Sequence, residues 1–278
     1  MRTAAIRVSQ EWLALREPAD AAARTRGLVE PLRRALPSTE RLVIHDLGSG
    51  TGAMGRWLAP LLPGPQHWVL HDRDADLLEV AVADVPGPAA DGTTVTVEAK
   101  QADITRLGPG ALAGATIITA SALLDLLTET ELSMLVAVCC GADCPTLLTL
   151  SVVGRVKLTP ADPMDRRVAI AFDAHQRRTT ERGRLLGPDA VARAVAEFDQ
   201  LGADVLVRPS PWRLGITEAD LAAEWLTGWV GAAGEQCVNF AAETDGYRSR
   251  RLAQANAGQL SVTVHHADLL VLPRSARR

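Results

Sequence analysis

The sequence lacks any run of about 20 apolar residues, the length that an α-helix needs to span a bilayer. Its first residues also lack the apolar core of a secretory signal peptide. We therefore expect a cytoplasmic protein that has no membrane partner.

Cysteine is scarce, with only four in the chain, at positions 139, 140, 144 and 237. No CxxC pair is present and no neighbouring histidine completes a zinc site. We expect these thiols to be reduced and mostly buried as small apolar side chains, and we expect no bound metal.

An excess of positive charge is also missing, because 29 Lys and Arg residues face 33 Asp and Glu residues and leave a net charge of −4. Such a chain has no overall electrostatic attraction to nucleic acid or to an anionic membrane. With 278 residues and 47% hydrophobic residues, it can nevertheless bury a sizeable core. A large polyanionic partner is therefore disfavoured.

The most informative stretch runs from Leu42 to Ala53 and reads LVIHDLGSGTGA. An apolar run typical of a strand leads into three alternate glycines, and a helical pattern follows over 53–62. Gly48, Gly50 and Gly52 have no Cβ, so they permit positive φ angles and let a ligand lie against the backbone. The free N–H groups at the start of the next helix would face that ligand. The pattern predicts a nucleotide-type site.

Two ligand classes fit this loop on its residues alone. Gly48, Gly50 and Ala53 satisfy the dinucleotide fingerprint if alanine takes its last place. Asp46, just before the loop, would repel a pyrophosphate and attract an ammonium or sulfonium group. An NAD-dependent oxidoreductase remains the alternative enzyme, and a catalytically silent cofactor-binding or partner protein is a third possibility.

The run from Val43 to Gly52 resembles motif I of the class I S-adenosylmethionine-dependent methyltransferases. In that family a strand ends in an acid that is followed by three glycines at alternate positions. The glycine loop there holds the methionine part of S-adenosylmethionine, and the acid lies near its amino group. The resemblance thus implies a set of cofactor-binding residues in this loop: Asp46, Gly48, Ser49, Gly50 and Gly52.

Asp72 ends a second apolar strand over 67–71 and lies 20 residues after Gly52. An acid at that spacing in a βαβ unit reaches the hydroxyls of a bound ribose. The resemblance adds Arg73, at the position where the family has a residue that packs on the cofactor. Asp74 is expected to cap a helix over 75–83.

Two further strand ends complete the implied cofactor site. A strand pattern over 93–100 is followed by Asp103 and Ile104, which resemble the acid and the apolar residue that hold the adenine in the family. Ser121 follows a fourth apolar strand over 115–120 and is included in the site. The branches of the family that methylate amino groups carry an Asn/Asp-Pro-Pro-Tyr/Phe run here, whereas this chain reads SALLDLL. Methylation of an exocyclic amine is therefore put in doubt.

The remaining pattern predicts an α/β fold. Strands are expected over 145–153, 203–207 and 260–272, which brings the number to seven. We expect a Rossmann-like, seven-stranded and mostly parallel sheet with helices on both faces, covering 41–272. The resemblance places the last strand antiparallel between the fifth and the sixth.

An N-terminal helical segment over 1–40 is expected to hold two helices. The first covers 4–15, and the second runs from Pro18, a residue favoured in a first helical turn, to Pro37.

Two insertions, over about 154–187 and 210–258, exceed ordinary connections. The first is rich in arginine, and the second is rich in tryptophan with a helix over 218–233. Because ligands in such folds bind beyond the carboxyl ends of the strands, both insertions could cover the acceptor as a helical cap. His175 is the one histidine on a candidate loop and is the candidate base. The expected activity is methyl transfer to a small or medium-sized acceptor.

Overall fold

The computed structural model describes residues 8–36, 41–237 and 241–273. The strands of these residues are β1 (Leu42–Leu47), β2 (Gln66–Asp72), β3 (Val95–Gln101), β4 (Ile117–Ser121), β5 (Thr146–Thr159), β6 (Thr179–Thr180), β7 (Gly183–Arg184), β8 (Asp204–Pro209), β9 (Trp212–Leu214) and β10 (Ser261–Leu272). The α-helices are α1 (Gln10–Ala23), α2 (Val29–Arg34), α3 (Ala53–Leu58), α4 (Ala75–Ala83), α5 (Glu129–Gly141), α6 (Asp165–Gln176), α7 (Ala190–Gln200), α8 (Ala219–Gln236) and α9 (Ala241–Asn256).

One large sheet organises the molecule, in the strand order β3-β2-β1-β4-β5-β10-β8, with β9 paired to the first part of β10. The strands from β3 to β5 in this order are parallel, and β10 is antiparallel to both of its neighbours, β5 and β8. This confirms the mostly parallel sheet with the last strand inserted. The strand order reverses between β1 and β4, and a crevice at the carboxyl ends of strands at such a point is the usual ligand position.

Apolar residues cover both faces of the sheet. Ile117 packs in a core that includes residues of α2, α3 and α4, whereas its neighbour Ile118 packs in a core with residues of α5 and α7. On β10, Leu270 packs in the first of these cores and its neighbour Leu269 packs in the second. Because successive side chains of a strand point to opposite faces, helices on both faces are needed to bury them, as the sequence predicts.

A third apolar cluster lies where β5 and β10 extend beyond the rest of the sheet. Residues of α1, α6, α8, α9 and β9 pack there, around the buried Trp229 and Tyr247. The sequence analysis did not predict α6 or α9, or the continuation of β5 to Thr159.

None of the described helices is long and apolar enough to cross a membrane.

The N-terminal helix continues through Pro18, so the helix boundary predicted at this residue is wrong. Arg16 donates two hydrogen bonds to the carboxylate of Asp20, at 2.9 and 3.2 Å, across the position of the proline. This i,i+4 ion pair supports the turn in which proline cannot supply a backbone donor. Residues 4–7 and 37–40, which bound the two predicted helices, lie outside the described residues.

The cysteines are free thiols in differing environments. Cys139 and Cys144 are buried, Cys140 is half-buried and Cys237 is exposed. Burial raises the pKa of the Cys144 thiol to about 12, which keeps it protonated. The three clustered cysteines therefore serve as packing groups near the end of α5.

Candidate functional site

The glycine loop follows β1 with the positive φ angles that its sequence predicts, +68° at Gly48 and +54° at Gly50. The N–H groups of Gly48 and Ser49 both donate to the carbonyl oxygen of His71, at 2.8 and 3.0 Å. These two N–H groups are therefore used to tie the loop to β2, and a ligand would have to bind other groups.

Leucines from two other elements close over this loop. A Cβ added to Gly48 would lie 3.3 Å from Leu123, and one added to Gly50 would lie 3.3 Å from Leu13. Gly52 faces away from them, because a Cβ there would lie 3.3 Å from the Cβ of Ala81 on α4. The first two glycines thus permit a close approach on the ligand side, whereas Gly52 permits packing of the loop on a helix.

A cavity of about 1040 Å³ opens above the loop at the carboxyl ends of the parallel strands. Its volume is at the upper end for sites that hold one small molecule, so it has room for a cofactor and a second ligand. Of the predicted cofactor residues, Gly52 does not line it. The others do: Asp46, Gly48, Ser49, Gly50, Asp72, Arg73, Asp103, Ile104 and Ser121.

Asp46 is buried at the end of β1, with 1% of its surface exposed. Its Oδ1 accepts a hydrogen bond of 2.7 Å from the hydroxyl of Thr119, and its Oδ2 has no partner among the described residues. Burial raises the pKa of Asp46 to about 6, although Thr119 and Arg24 act in the opposite direction. A carboxylate with one vacant oxygen in such a place suits a cationic ligand group.

Arg24 lies just after α1 and is a buried cation in the cavity lining that the sequence analysis missed. Its Nη2 donates to the hydroxyl of Ser121 at 3.1 Å, but its Nε and Nη1 have no acceptor among the described residues. Its guanidinium lies 5.6 Å from the ring centroid of Trp57. Unpaired buried N–H groups on a cation suit an anionic ligand group.

Asp72 is half-buried at the end of β2. Its Oδ2 accepts from the backbone N–H of Gly50, and its Oδ1 accepts from the backbone N–H of Asp74, both at 2.9 Å. A carboxylate offers about four acceptor positions, so two remain for ligand hydroxyls. Asp74 accepts from the N–H of Asp76 at 3.1 Å, which confirms the predicted helix cap.

Asp103 and Ile104 lie side by side in the cavity lining after β3. The Oδ1 of Asp103 accepts from the backbone N–H of Thr105 at 3.0 Å and from its hydroxyl at 2.7 Å. Partial burial acts to raise the pKa of Asp103, but these hydrogen bonds hold it below its usual value. The carboxylate is therefore ionised. It caps the turn at Thr105 and also lines the cavity, so one role does not exclude the other.

Four aromatic residues that line the cavity belong to one apolar cluster. They are Trp12 from α1, Phe172 from α6, Trp212 from β9 and Trp225 from α8. The guanidinium of Arg16 lies 5.9 Å from the ring centroid of Trp12 and 5.0 Å from that of Trp212. Elements far apart in the sequence thus build one compartment, which we call the aromatic compartment.

Two titratable residues in the cavity lining, Asp125 and His266, were not singled out from the sequence. Burial raises the pKa of Asp125 to about 6, against the charges of Arg16 and Arg178. Burial also lowers the pKa of His266 to about 3, so this histidine is neutral at physiological pH. The only sequence signal for Asp125 is an acid four residues after the end of the fourth strand.

His175, the predicted base, does not line the cavity. Its Nε2 lies 3.0 Å from a carboxylate oxygen of Glu235 at the junction of α6 and α8. Arg178, three residues further on, does line the cavity, as does the turn of the β6–β7 hairpin around Glu181. The arginine-rich insertion therefore reaches the cavity through residues other than its histidine.

No model of a protein family matches this sequence, and no curated protein matches it. Solved structures do match. The cyclopropane synthase MmaA2 from Mycobacterium tuberculosis is 14% identical, with a TM-score of 0.51 over 95% of this chain and 94% of that one. The mycolic acid cyclopropane synthase CmaA1, in complex with SAH and CTAB, is 13% identical, with a TM-score of 0.51 over 94% of each chain.

A loganic acid methyltransferase with SAH is 11% identical, with a TM-score of 0.52 over 96% of this chain and 95% of that one. At such identities a likeness shows the fold and nothing finer. The chain has the Rossmann-like fold of the class I S-adenosylmethionine-dependent methyltransferases, which confirms at the level of the fold the resemblance found in motif I.

Proposed function

We propose that this protein is an S-adenosylmethionine-dependent methyltransferase that acts on a small or medium-sized acceptor. The observation that carries the proposal is the presence of two opposite, buried and incompletely paired charges in one cavity. Asp46 has a free carboxylate oxygen and Arg24 has free guanidinium nitrogens, and both lie at the glycine-loop end.

The methionine part of the cofactor carries one ammonium group and one carboxylate. An ammonium group would complete the hydrogen bonding of Asp46, and a carboxylate would complete that of Arg24. Charge-assisted hydrogen bonds of this kind are about twice as strong as neutral ones. Two buried groups that cost stability in the empty protein would thus contribute to binding.

A dinucleotide fits the same site poorly. Its pyrophosphate would approach Asp46, whose carboxylate repels it. The N–H groups of Gly48 and Ser49, which a pyrophosphate would need, already donate to His71. These contacts disfavour the NAD-dependent alternative.

The rest of the predicted set suits the nucleoside. Asp72 keeps two acceptor positions for the ribose hydroxyls after its bonds to Gly50 and Asp74. Asp103 offers an acceptor beside the apolar side chain of Ile104, a pair that suits an adenine amine and ring. Arg73 and Ser121 complete this part of the lining.

S-Adenosylmethionine supplies a methyl group on a sulfonium, which is a strong electrophile. The protein therefore needs chiefly to align the acceptor and to exclude water. Bulky side chains from α1 and from the segment from β9 to α8 line the aromatic compartment. They can hold an acceptor in position and keep water away from it.

Titration calorimetry with S-adenosylhomocysteine, 5′-methylthioadenosine and NAD tests the proposal. The wild-type protein should bind the first ligand and bind NAD weakly or not at all. Arg24→Gln and Asp46→Asn should weaken S-adenosylhomocysteine binding about tenfold or more. Neither change should affect 5′-methylthioadenosine, which has no amino acid part. Binding of NAD alone would refute the proposal, and binding without turnover of any acceptor would favour the silent protein.

A further inference from the structure

Aromatic side chains are rare in this chain and are concentrated in one place. The sequence has 6 Trp, 3 Phe and 1 Tyr. Four of these ten residues, Trp12, Phe172, Trp212 and Trp225, line the aromatic compartment. Flat, rigid walls of this kind favour a planar ligand, because aromatic rings gain from stacked and edge-to-face contacts beyond the area that they bury.

Three arginines, Arg16, Arg178 and Arg182, line the cavity. Arg16 lies between two tryptophan rings and is paired with Asp20, and Arg182 donates to Glu131 at 2.7 Å. Arg178 donates to the carbonyl oxygen of His175 and forms no ion pair with a described carboxylate. Arg178 is therefore the cation that can stabilise negative charge that develops on an acceptor.

Asp125 also lines the cavity, and no side chain of the described residues donates a hydrogen bond to its carboxylate. It lies in the turn after β4, at the carboxyl edge of the sheet, where an acceptor would meet the cofactor. The charged groups that act on it are Arg16 from α1 and Arg178 after α6. A base placed opposite a cation is arranged to take a proton while the cation stabilises the resulting anion.

We infer that Asp125 is the general base of the reaction and that the acceptor is an aromatic compound methylated on a ring hydroxyl. This inference rests on the proposed function. The hydroxyl proton passes to the Asp125 carboxylate, and the electron pair of the O–H bond stays on oxygen. That oxygen forms the new bond to the methyl carbon as the carbon–sulfur bond breaks with its pair going to sulfur. The products are a methyl ether, S-adenosylhomocysteine and a protonated Asp125, which returns its proton to water.

Other acceptors suit these residues less well. A carboxylate acceptor is already ionised, needs no base and would be repelled by Asp125. An aliphatic amine is protonated at neutral pH, as the lysine pKa of about 10.4 illustrates, and it lacks the flat ring that would stack on the aromatic walls. An aromatic hydroxyl is neutral and planar, and with a pKa of about 10, as in tyrosine, it is within reach of a carboxylate base. Burial raises the pKa of Asp125 to about 6, which brings it closer to the pKa of the aromatic hydroxyl and makes the proton transfer easier.

The test uses one ring system with four different nucleophiles: 2-naphthol, 2-naphthylamine, 2-naphthoic acid and 2-naphthalenethiol. With S-adenosylmethionine, the wild-type protein should methylate the naphthol fastest. If the protein binds S-adenosylhomocysteine but methylates another member faster, or does not methylate the naphthol, the inference is wrong and the proposed function stands. If it does not bind S-adenosylhomocysteine, the proposed function itself fails.

Asp125→Asn separates a base from a structural residue. This variant should lose roughly 10²- to 10⁴-fold in kcat with 2-naphthol, which is the usual contribution of a general base. Its affinities for S-adenosylhomocysteine and for 2-naphthol, measured by calorimetry on the saturated protein, should stay within about twofold of wild type. Asp199→Asn, an exposed acid on α7 outside the cavity, is the matched control and should change nothing.

A comparison of two acceptors of different acidity distinguishes a general base from a residue that only shapes the compartment. 4-Nitrophenol is largely ionised at pH 8 and does not need a base, so Asp125→Asn should lose much less activity with it than with 2-naphthol. The acid limb of the wild-type pH profile should also disappear in the variant. An equal loss with both acceptors, or an unchanged acid limb, would mean that Asp125 only shapes the compartment.

Discussion

The carboxylate of Asp72 accepts a hydrogen bond of 2.9 Å from the backbone N–H of Gly50, so the end of β2 holds the loop that follows β1. The acid that the spacing predicts for the ribose is thus also a structural part of the glycine loop. Its second oxygen holds the N–H of Asp74 and so sets the start of α4. Loop shape and the predicted ribose contact therefore depend on the same side chain.

Asp72→Ala is expected to affect both properties. Loss of charge-assisted hydrogen bonds to a ribose, each ~1.5 to 3 kcal/mol, should weaken S-adenosylhomocysteine binding by roughly one to three orders of magnitude. Loss of the bonds to Gly50 and Asp74 should lower the free energy of unfolding by ~1 to 2 kcal/mol. Calorimetry and denaturant unfolding measure the two effects.

Asp91 supplies the matched control for this substitution. Its exposed carboxylate also holds two backbone N–H groups, those of Gly64 at 2.9 Å and Thr93 at 3.2 Å, but it does not line the cavity. Asp91→Ala should lower the stability slightly and leave ligand affinity unchanged. Wild-type affinity in Asp72→Ala would remove Asp72 from the ribose site.

Gly50→Ala is expected to abolish cofactor binding through sterics. The residue has a φ of +54°, and a new Cβ would lie 3.3 Å from Leu13 on the ligand side of the loop. Backbone strain should cost ~1 to 2 kcal/mol of stability. Gly64→Ala separates strain from binding, because Gly64 has a φ of +77° with nothing within 4 Å of the added Cβ. The two variants should lose similar stability, and only Gly50→Ala should lose affinity.

The affinity for S-adenosylhomocysteine should depend on pH through Asp46. Burial raises the pKa of this carboxyl to about 6, so it is mostly neutral at pH 5 and ionised at pH 8. An ammonium group binds the ionised form, and the affinity should therefore rise about tenfold between pH 5 and pH 7 and then level off. Calorimetry across this range gives the profile. In Asp46→Asn the affinity should be low and independent of pH, and a similar rise in that variant would assign it to another group.

A hydrogen-bonded cluster between α6 and α9 is expected to contribute to stability. Tyr247 and Arg251 on α9 both donate to Oδ1 of Asp165 at the start of α6, at 2.7 and 2.5 Å. Asp165→Ala leaves the buried Arg251 without its carboxylate and should cost ~3 kcal/mol, whereas Tyr247→Phe should cost ~1 kcal/mol. Asp245→Ala breaks only an exposed pair with Arg248 and should cost less than ~1 kcal/mol. Urea unfolding of the three variants checks this order.

The sequence alone was sufficient for the parallel sheet and for the strand-end residues that line the cavity. The residues concerned, from Asp46 to Ile104, lie in successive strand–loop–helix units. Parallel strands bring their carboxyl ends to one edge, so residues that follow each strand meet there whatever the rest of the chain does. Glycine spacing and strand-end acids are local features, and a linear pattern records them.

Only the tertiary structure decided which further residues line the cavity. Arg24 follows α1, Trp212 comes from β9 and Asp125 from a turn after β4, and no periodicity links them. Pro18 stays inside a helix in which Arg16 and Asp20 pair across it, and α9 packs on α8 while Tyr247 donates a hydrogen bond to Asp165 of α6. These outcomes depend on the packing of elements that are distant in sequence, and burial then sets the pKa values of Asp46 and Asp125. Local residue patterns carry no information about that burial.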